Sequence, residues 1–134
     1  MRPSFRSVIL PAIALLWAAD AVAQAGIANP ASVNCGRQGG VLRIETNDQG
    51  GQYGICVFVD DRQCEEWALL RGRCPVGGVR VTGFVTPAAR FCAITGGRYV
   101  VSANSSRPDE QGSCALPEGK ICDAVAYYRG RCGP

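Results

Sequence analysis

Arg71-Gly72-Arg73-Cys74 (RGRC) closes one four-cysteine stretch, and the same four residues return at positions 129–132. Aligning the two brings the rest of the chain into phase. Residues 30–74 run beside residues 87–132 with one residue inserted in the second copy. Cys35, Cys56, Cys64 and Cys74 then correspond to Cys92, Cys114, Cys122 and Cys132. Pro30/Pro87, Gly39-Gly40/Gly96-Gly97, Asn47/Asn104, Gly54/Gly112 and Ala68/Ala126 also agree. Most shared positions are Cys, Gly and Pro, types that fix a backbone rather than perform chemistry. The chain reads as a duplicated scaffold. A first four-cysteine module covers residues 28–74, an inter-module strand or tie 75–86, and a second four-cysteine module 87–134.

Residues 1–23 have the grammar of a signal peptide. Arg2 and Arg6 give a basic start, Val8 to Ala19 a short apolar run, and Ala21-Val22-Ala23 the small residues a signal peptidase reads. The apolar run is shorter than the roughly 20 residues a membrane-spanning helix needs. Cleavage after Ala23 leaves 12 basic and 10 acidic side chains, a balance that offers no basic stripe for nucleic acid. No later apolar run approaches spanning length, so the mature chain is expected to have no transmembrane segment. All eight cysteines follow the leader, and export puts an even number of them where a disulfide framework forms.

Each copy has the same local reading. Asn29 and Thr86 are helix N-caps with Pro30 and Pro87 at the first helical position, and the double glycine ends the helix. "VLRIET" (41–46) and "RYVVSA" (98–103) are strands, each followed by a turn and a second strand, "YGICVFV" (53–59) or "GSCALP" (112–117). A tight turn at Asp60-Asp61 or Glu118-Gly119 leads to Cys64 or Cys122, and "EEWALLRG" or "DAVAYYRG" makes a final helix. The expected fold class is therefore α+β: two tandem, disulfide-stapled helix–hairpin–helix (αββα) modules. Trp67 and Leu70 have the spacing of one buried helix face, and Tyr127 and Tyr128 lie on the last helix of the second copy. The tie "PVGGVRVTGFVT" (75–86) is apolar where a flexible linker is polar, which predicts modules packed on one another.

Modules of this size bury too little apolar surface to offset their chain entropy unaided. Two disulfides in each, at roughly 2–4 kcal/mol apiece, close the gap. A helix of nearly three turns between Cys64 and Cys74 would separate them by about 15 Å, beyond the roughly 7 Å a disulfide spans. That argues against 64–74 and, with it, 35–56. Two patterns stay open: 35–64 with 56–74, which is preferred, and 35–74 with 56–64.

The chemistry is sparse. The chain has no histidine, the usual general base and the commonest metal ligand. Its cysteine intervals do not match zinc knuckles. Glu65-Glu66 reads as a favourable helix start and Asp60-Asp61 as turn chemistry. Neither pair recurs intact in the second copy, where Ala124 and Gly119 replace Glu66 and Asp61. No catalytic, cofactor-binding or metal-binding residue is expected. Arg71, Arg73, Arg129 and Arg131 suit helix C-termini. Arg62 and Lys120 correspond, each near a hairpin tip two residues before a cysteine, and form a candidate partner-binding loop. A braced loop presenting a basic residue is one way small secreted proteins block trypsin-like proteases.

"NPASVNCGRQGG…GGQYGICVFVDDRQCEEWALLRGRC" resembles a small cysteine-containing bacterial domain of unknown function that carries a haemolysin label. "VTGFVTPAARFCAITGG…EQGSCALPEGKICDAVAYYRGRC" resembles its companion form, and the two cover nearly all of residues 28–132. The resemblance implies an exported protein of the Gram-negative envelope. It supplies no catalytic residues, and the lipidation cysteine of some members is absent here. The short crosslinked modules contain no amphipathic pore-forming segment. Together these readings give the expectation of a periplasmic or secreted, non-enzymatic binding or structural protein whose partner is an envelope or extracellular macromolecule. A protease inhibitor and a membrane-active factor are the alternatives.

Overall fold

The computed structural model describes residues 28–134, so the leader expected at 1–23 lies outside the described residues. Asn29 caps α1 (Pro30–Arg37) by accepting the Ala31 N–H, and Thr86 caps α3 (Pro87–Ile94) by accepting that of Ala89. Both helices stop two residues before a positive-φ glycine, Gly39 at 81° and Gly96 at 91°. The strands β1 (Val41–Thr46) and β2 (Gln52–Val57) follow in the first module, with β5 (Arg98–Ala103) and β6 (Gln111–Ala115) in the second.

The expected hairpin is a three-stranded meander. Asp60 and Asp61 both adopt positive φ, and this tight turn sends the chain straight into β3 (Arg62–Glu65) antiparallel to β2. Turns with two positive-φ residues match the right-handed twist of the strands they join. Gly119 performs the corresponding reversal into β7 (Ile121–Asp123). The short helices α2 (Glu66–Leu70) and α4 (Ala124–Tyr128) come next. Each module is therefore helix, three strands, helix, and αββα is corrected to that order. In the tie only β4 (Val79–Arg80) is a strand; it pairs with β3 and makes the first sheet β1-β2-β3-β4, while the second is β5-β6-β7.

The disulfides are 35–56, 64–74, 92–114 and 122–132, so both pairings favoured by spacing are overturned. Helix length is the reason. Glu65 stays extended and caps α2, leaving five helical residues where nearly three turns were expected. Gly72, at φ 72°, then reverses the chain, and the N–H groups of Arg73 and Cys74 both donate to the Ala68 carbonyl. Cys74 returns to 5.8 Å from Cys64 between α carbons instead of continuing away. The Cys35–Cys56 bridge ties α1 to β2 directly.

These cystines are most of each core. In the first module Cys35, Cys56, Cys64 and Cys74 cluster with Ala68 and Leu69. In the second, Cys92, Cys114 and Cys122 cluster with Leu116 and Tyr127. The reversal after α2 also decides which helix face is buried. Ala68 and Leu69 turn inward, whereas Trp67 is half-buried and Leu70 exposed. The second glycine of each pair lies against sulfur: a Cβ on Gly40 would sit 2.2 Å from Cys56 Sγ, and one on Gly97 2.4 Å from Cys114 Sγ.

Non-reducing peptide mapping is expected to recover the 35–56, 64–74, 92–114 and 122–132 links; a 35–64 or 56–74 peptide would overturn this core. Gly97→Ala is expected to destabilise the protein by about 1–3 kcal/mol, the usual cost of overpacking, as read by chemical denaturation of the oxidised protein.

Candidate binding groove between the modules

Ile55 from β2, Val81 from the tie and Ile94 from α3 form a third buried cluster that joins the two halves. Around it lies an aromatic seam. Phe91 meets Tyr53 edge-on at 5.2 Å between ring centroids, and it also packs on Tyr127 at 5.3 Å and Tyr128 at 5.5 Å. Edge-to-face contacts of this kind add about 0.5–1.5 kcal/mol each beyond area burial.

Among the described residues three ion pairs cross the same boundary. Arg90 on α3 grips Glu45 on β1 through both its terminal nitrogens. Arg129 grips Asp48, and Arg73 reaches Glu118. Asn47 Nδ2 adds a bond to the Tyr128 carbonyl at 3.3 Å. Burial alone would raise the Glu45 carboxyl, but hydrogen bonding and charge from Arg90, with help from Tyr53 and Arg43, hold it below the ordinary range. The Arg129 hydrogen bonds hold Asp48 low as well, and the nearby charge of Arg131 adds to this. Burial, with Tyr128 and Glu45 beside it, pushes the Tyr53 hydroxyl well above its usual value.

The two RGRC segments come together at this seam. Gly72 and Gly130 have matching φ of 72° and 73°, and the following N–H groups, of Arg73 and Arg131, close the same turn onto Ala68 and Ala126. The motif is thus a helix stop that returns its cysteine to the sheet. A depression of about 330 Å³ lies between the segments, floored by Phe91 and Tyr127 and edged by Glu65, Arg71 and Arg73 on one side and Gly130 on the other. A second, of about 300 Å³, shares Phe91, Tyr127 and Gly130 and extends the groove past Tyr53 to Arg129. Arg71 lies over the Trp67 ring at 5.4 Å, and Arg131 is exposed.

Glu65 accepts the N–H groups of Trp67 and Ala68 while lining the groove; burial raises its carboxyl despite those bonds. Glu66 is buried and accepts hydrogen bonds from Asn29 and Ser32, tying α1 to α2. Asp60 and Asp61 form the β2–β3 turn. Among the described residues no group of three His, Cys, Asp or Glu side chains is placed to hold a metal ion. Arg62 donates to the Gly78 carbonyl at 3.2 Å, and Lys120 donates to that of Gly133 at 2.6 Å. Each cation thus secures the segment following the last cysteine of its own module. The groove brings together Arg71, Arg73 and Arg129 of the repeats but not Arg131, and neither Arg62 nor Lys120.

Sequence reasoning passed over Tyr53, Phe91, Glu45, Asp48 and Arg90. The available signal was departure from the repeat: Gln111 stands opposite Tyr53, Asn34 opposite Phe91 and Ser102 opposite Glu45. Residues that face the other module have no reason to match. Since the folded-state pKa of Glu45 lies below its unfolded value, its pair contributes fully above the ordinary carboxylate range and is lost as pH falls through the depressed value. Glu45→Gln is therefore expected to cost about 1 kcal/mol at pH 7, a figure discounted for partial exposure. The difference from wild type should vanish near pH 2, as read by denaturant melts at both values. An equal cost at both would deny the ion pair.

A family model described as "Domain of unknown function (DUF333)" matches the chain twice, over residues 26–73 and 83–131. No curated protein and no solved structure matches it. The two matched segments coincide with the two cystine-centred modules, and the chain belongs to the DUF333 family, with two copies of the domain in tandem.

Proposed function

We propose that this is an exported, non-enzymatic binding protein, periplasmic or secreted, which holds an anionic envelope or extracellular macromolecule in the groove between its modules. The observation that carries the reading is the pairing of an aromatic floor, Phe91 and Tyr127, with arginines from both RGRC segments. Glu118 and Asp48 neutralise Arg73 and Arg129, leaving Arg71 to supply the rim charge. Aromatic and arginine side chains are the usual anchors of macromolecular interfaces.

Four cystines at the centre of the cores support a workplace outside the reducing cytosol. Among the described residues no helix is long and apolar enough to cross a membrane. The one acidic side chain among the residues lining the groove, Glu65, is occupied with capping α2, and no histidine exists to act as its partner. Binding without turnover is the role such a surface supports, and nucleic acid is a poor candidate for a chain so near charge balance.

The test is affinity capture from an envelope extract by the oxidised protein, with mass-spectrometric identification of what is held. Arg71→Glu should weaken retention of the captured macromolecule at least about tenfold, the loss of one anchoring contact. Arg37→Glu, on the distant helix α1, should leave it unchanged. Equal retention by both variants would remove the groove from the reading, and conversion of the captured material would remove the non-enzymatic role.

A further inference from the structure

We infer that β1 is a self-complementary edge through which two copies of this chain pair antiparallel, extending the first sheet across a two-fold axis at Ile44. Among the described residues four strands lie at sheet edges, and three of them are poor templates. β4 has two residues and β7 three. β5 is long enough, but its register slips between Val101 and Ala103. Such irregularities twist an edge away from pairing. Of these only β1 runs unbroken, with all six residues in continuous register against β2 and no strand on its other side among the described residues. It is also apolar where an edge is ordinarily guarded: Val41 is 72% exposed, Ile44 54% and Leu42 37%.

The backbone fixes which groups face outward. The Asn47 N–H donates to the Gly51 carbonyl at the end of the hairpin. Bonded and non-bonded pairs alternate along an antiparallel ladder. Glu45, Arg43 and Val41 therefore bond inward to β2, and the N–H and carbonyl groups of Leu42, Ile44 and Thr46 point out. These three residues are symmetric about Ile44. A second copy centred there sets Ile44 against Ile44 and Leu42 against Thr46, and every outward group meets a partner.

Charge selects the same register. Centring on Ile44 places Arg43 of each copy opposite Glu45 of the other, in non-bonded pairs where side chains come closest. Shifting the axis by one residue sets Arg43 against Arg43, or Glu45 against Glu45, and leaves one of the three outward residues without a mate among the other two. Within one copy, Arg43 already lies 2.8 Å from Glu45 with nearly half of its side chain exposed, so both charges are on the face where the second strand would bring its own. A single six-residue edge makes a small interface, and the dimer is concentration-dependent.

Sedimentation velocity of the full oxidised protein, up to about 1 mM, is expected to show a monomer–dimer equilibrium. Ile44→Lys should weaken it at least tenfold with an unchanged circular dichroism spectrum. Bonded antiparallel partners have α carbons about 5.5 Å apart, within disulfide reach. Ile44→Cys should therefore form a crosslinked dimer on mild oxidation while the four native bridges remain, and Leu42→Cys, whose mate is Thr46, should not. A protein monomeric throughout, a dimer untouched by Ile44→Lys, or equal crosslinking at 42 and 44 would each overturn the assignment.

Discussion

Two disulfides crossing the interior of each module are the constraint on which the other features depend. In an ordinary domain the core is a set of large aliphatic side chains, and the backbone has some latitude in how it brings them together. Here sulfur occupies that space, and a covalent bridge tolerates only a narrow range of α-carbon separations. The backbone must therefore arrive at four fixed places. Gly40 and Gly97 let it pass against the first bridge, and Gly72 and Gly130 bring it back to the second. The RGRC repeat is the visible trace of that second requirement.

A shared frame leaves the remaining positions free to diverge, and the divergence is where the halves meet. Gly54 and Gly112 show how far this goes. A Cβ on Gly54 would strike the Glu66 carboxylate, and one on Gly112 the Tyr99 ring. The same glycine thus makes room for a buried polar tie between helices in one copy and for an aromatic side chain in the other. The single inserted residue of the second copy falls between the Asn47/Asn104 and Gly54/Gly112 matches, beside the slipped register of β5. Duplication gave two equal scaffolds, but the surfaces they carry are different.

What could be read before seeing the fold follows the same division. Helix caps, the double-glycine stops and the first strand of each copy are local features, set by φ preferences and side-chain-to-backbone bonds within a few residues. They were legible at Asn29, Thr86, Gly39 and Gly96. The third strand was not, because Arg62–Glu65 is too short and too polar to show a period. Cystine pairing failed for a related reason. Whether Glu65 begins α2 or caps it shifts the helix by one residue, and how far the chain doubles back after Leu70 depends on the turn at Gly72. Boundaries of that kind are weakly encoded, yet the distance from Cys64 to Cys74 depends on them. The candidate groove was half visible: its arginines were conspicuous as a repeat, while its aromatic floor lay at positions that do not repeat.

A sulfur core also explains why one module needs the other. The disulfides stabilise the helix-facing side of each sheet, and they leave the opposite side of β2 uncovered. Tyr53, Ile55 and Val57 alternate along that side, and Ile55 is completely buried only because α3 and the tie lie over it. A lone first module would expose all three on a strand whose neighbour β1 is already an open apolar edge. The second module covers the face, and Glu45 and Asp48 fix how it sits by pairing with Arg90 and Arg129. Apolar contact supplies the drive to dock and the ion pairs set the orientation, since misplaced charges in a partly buried interface cost more than matched ones contribute. The groove is a by-product of that docking, formed where two helix stops, each required by its own cystine, end side by side.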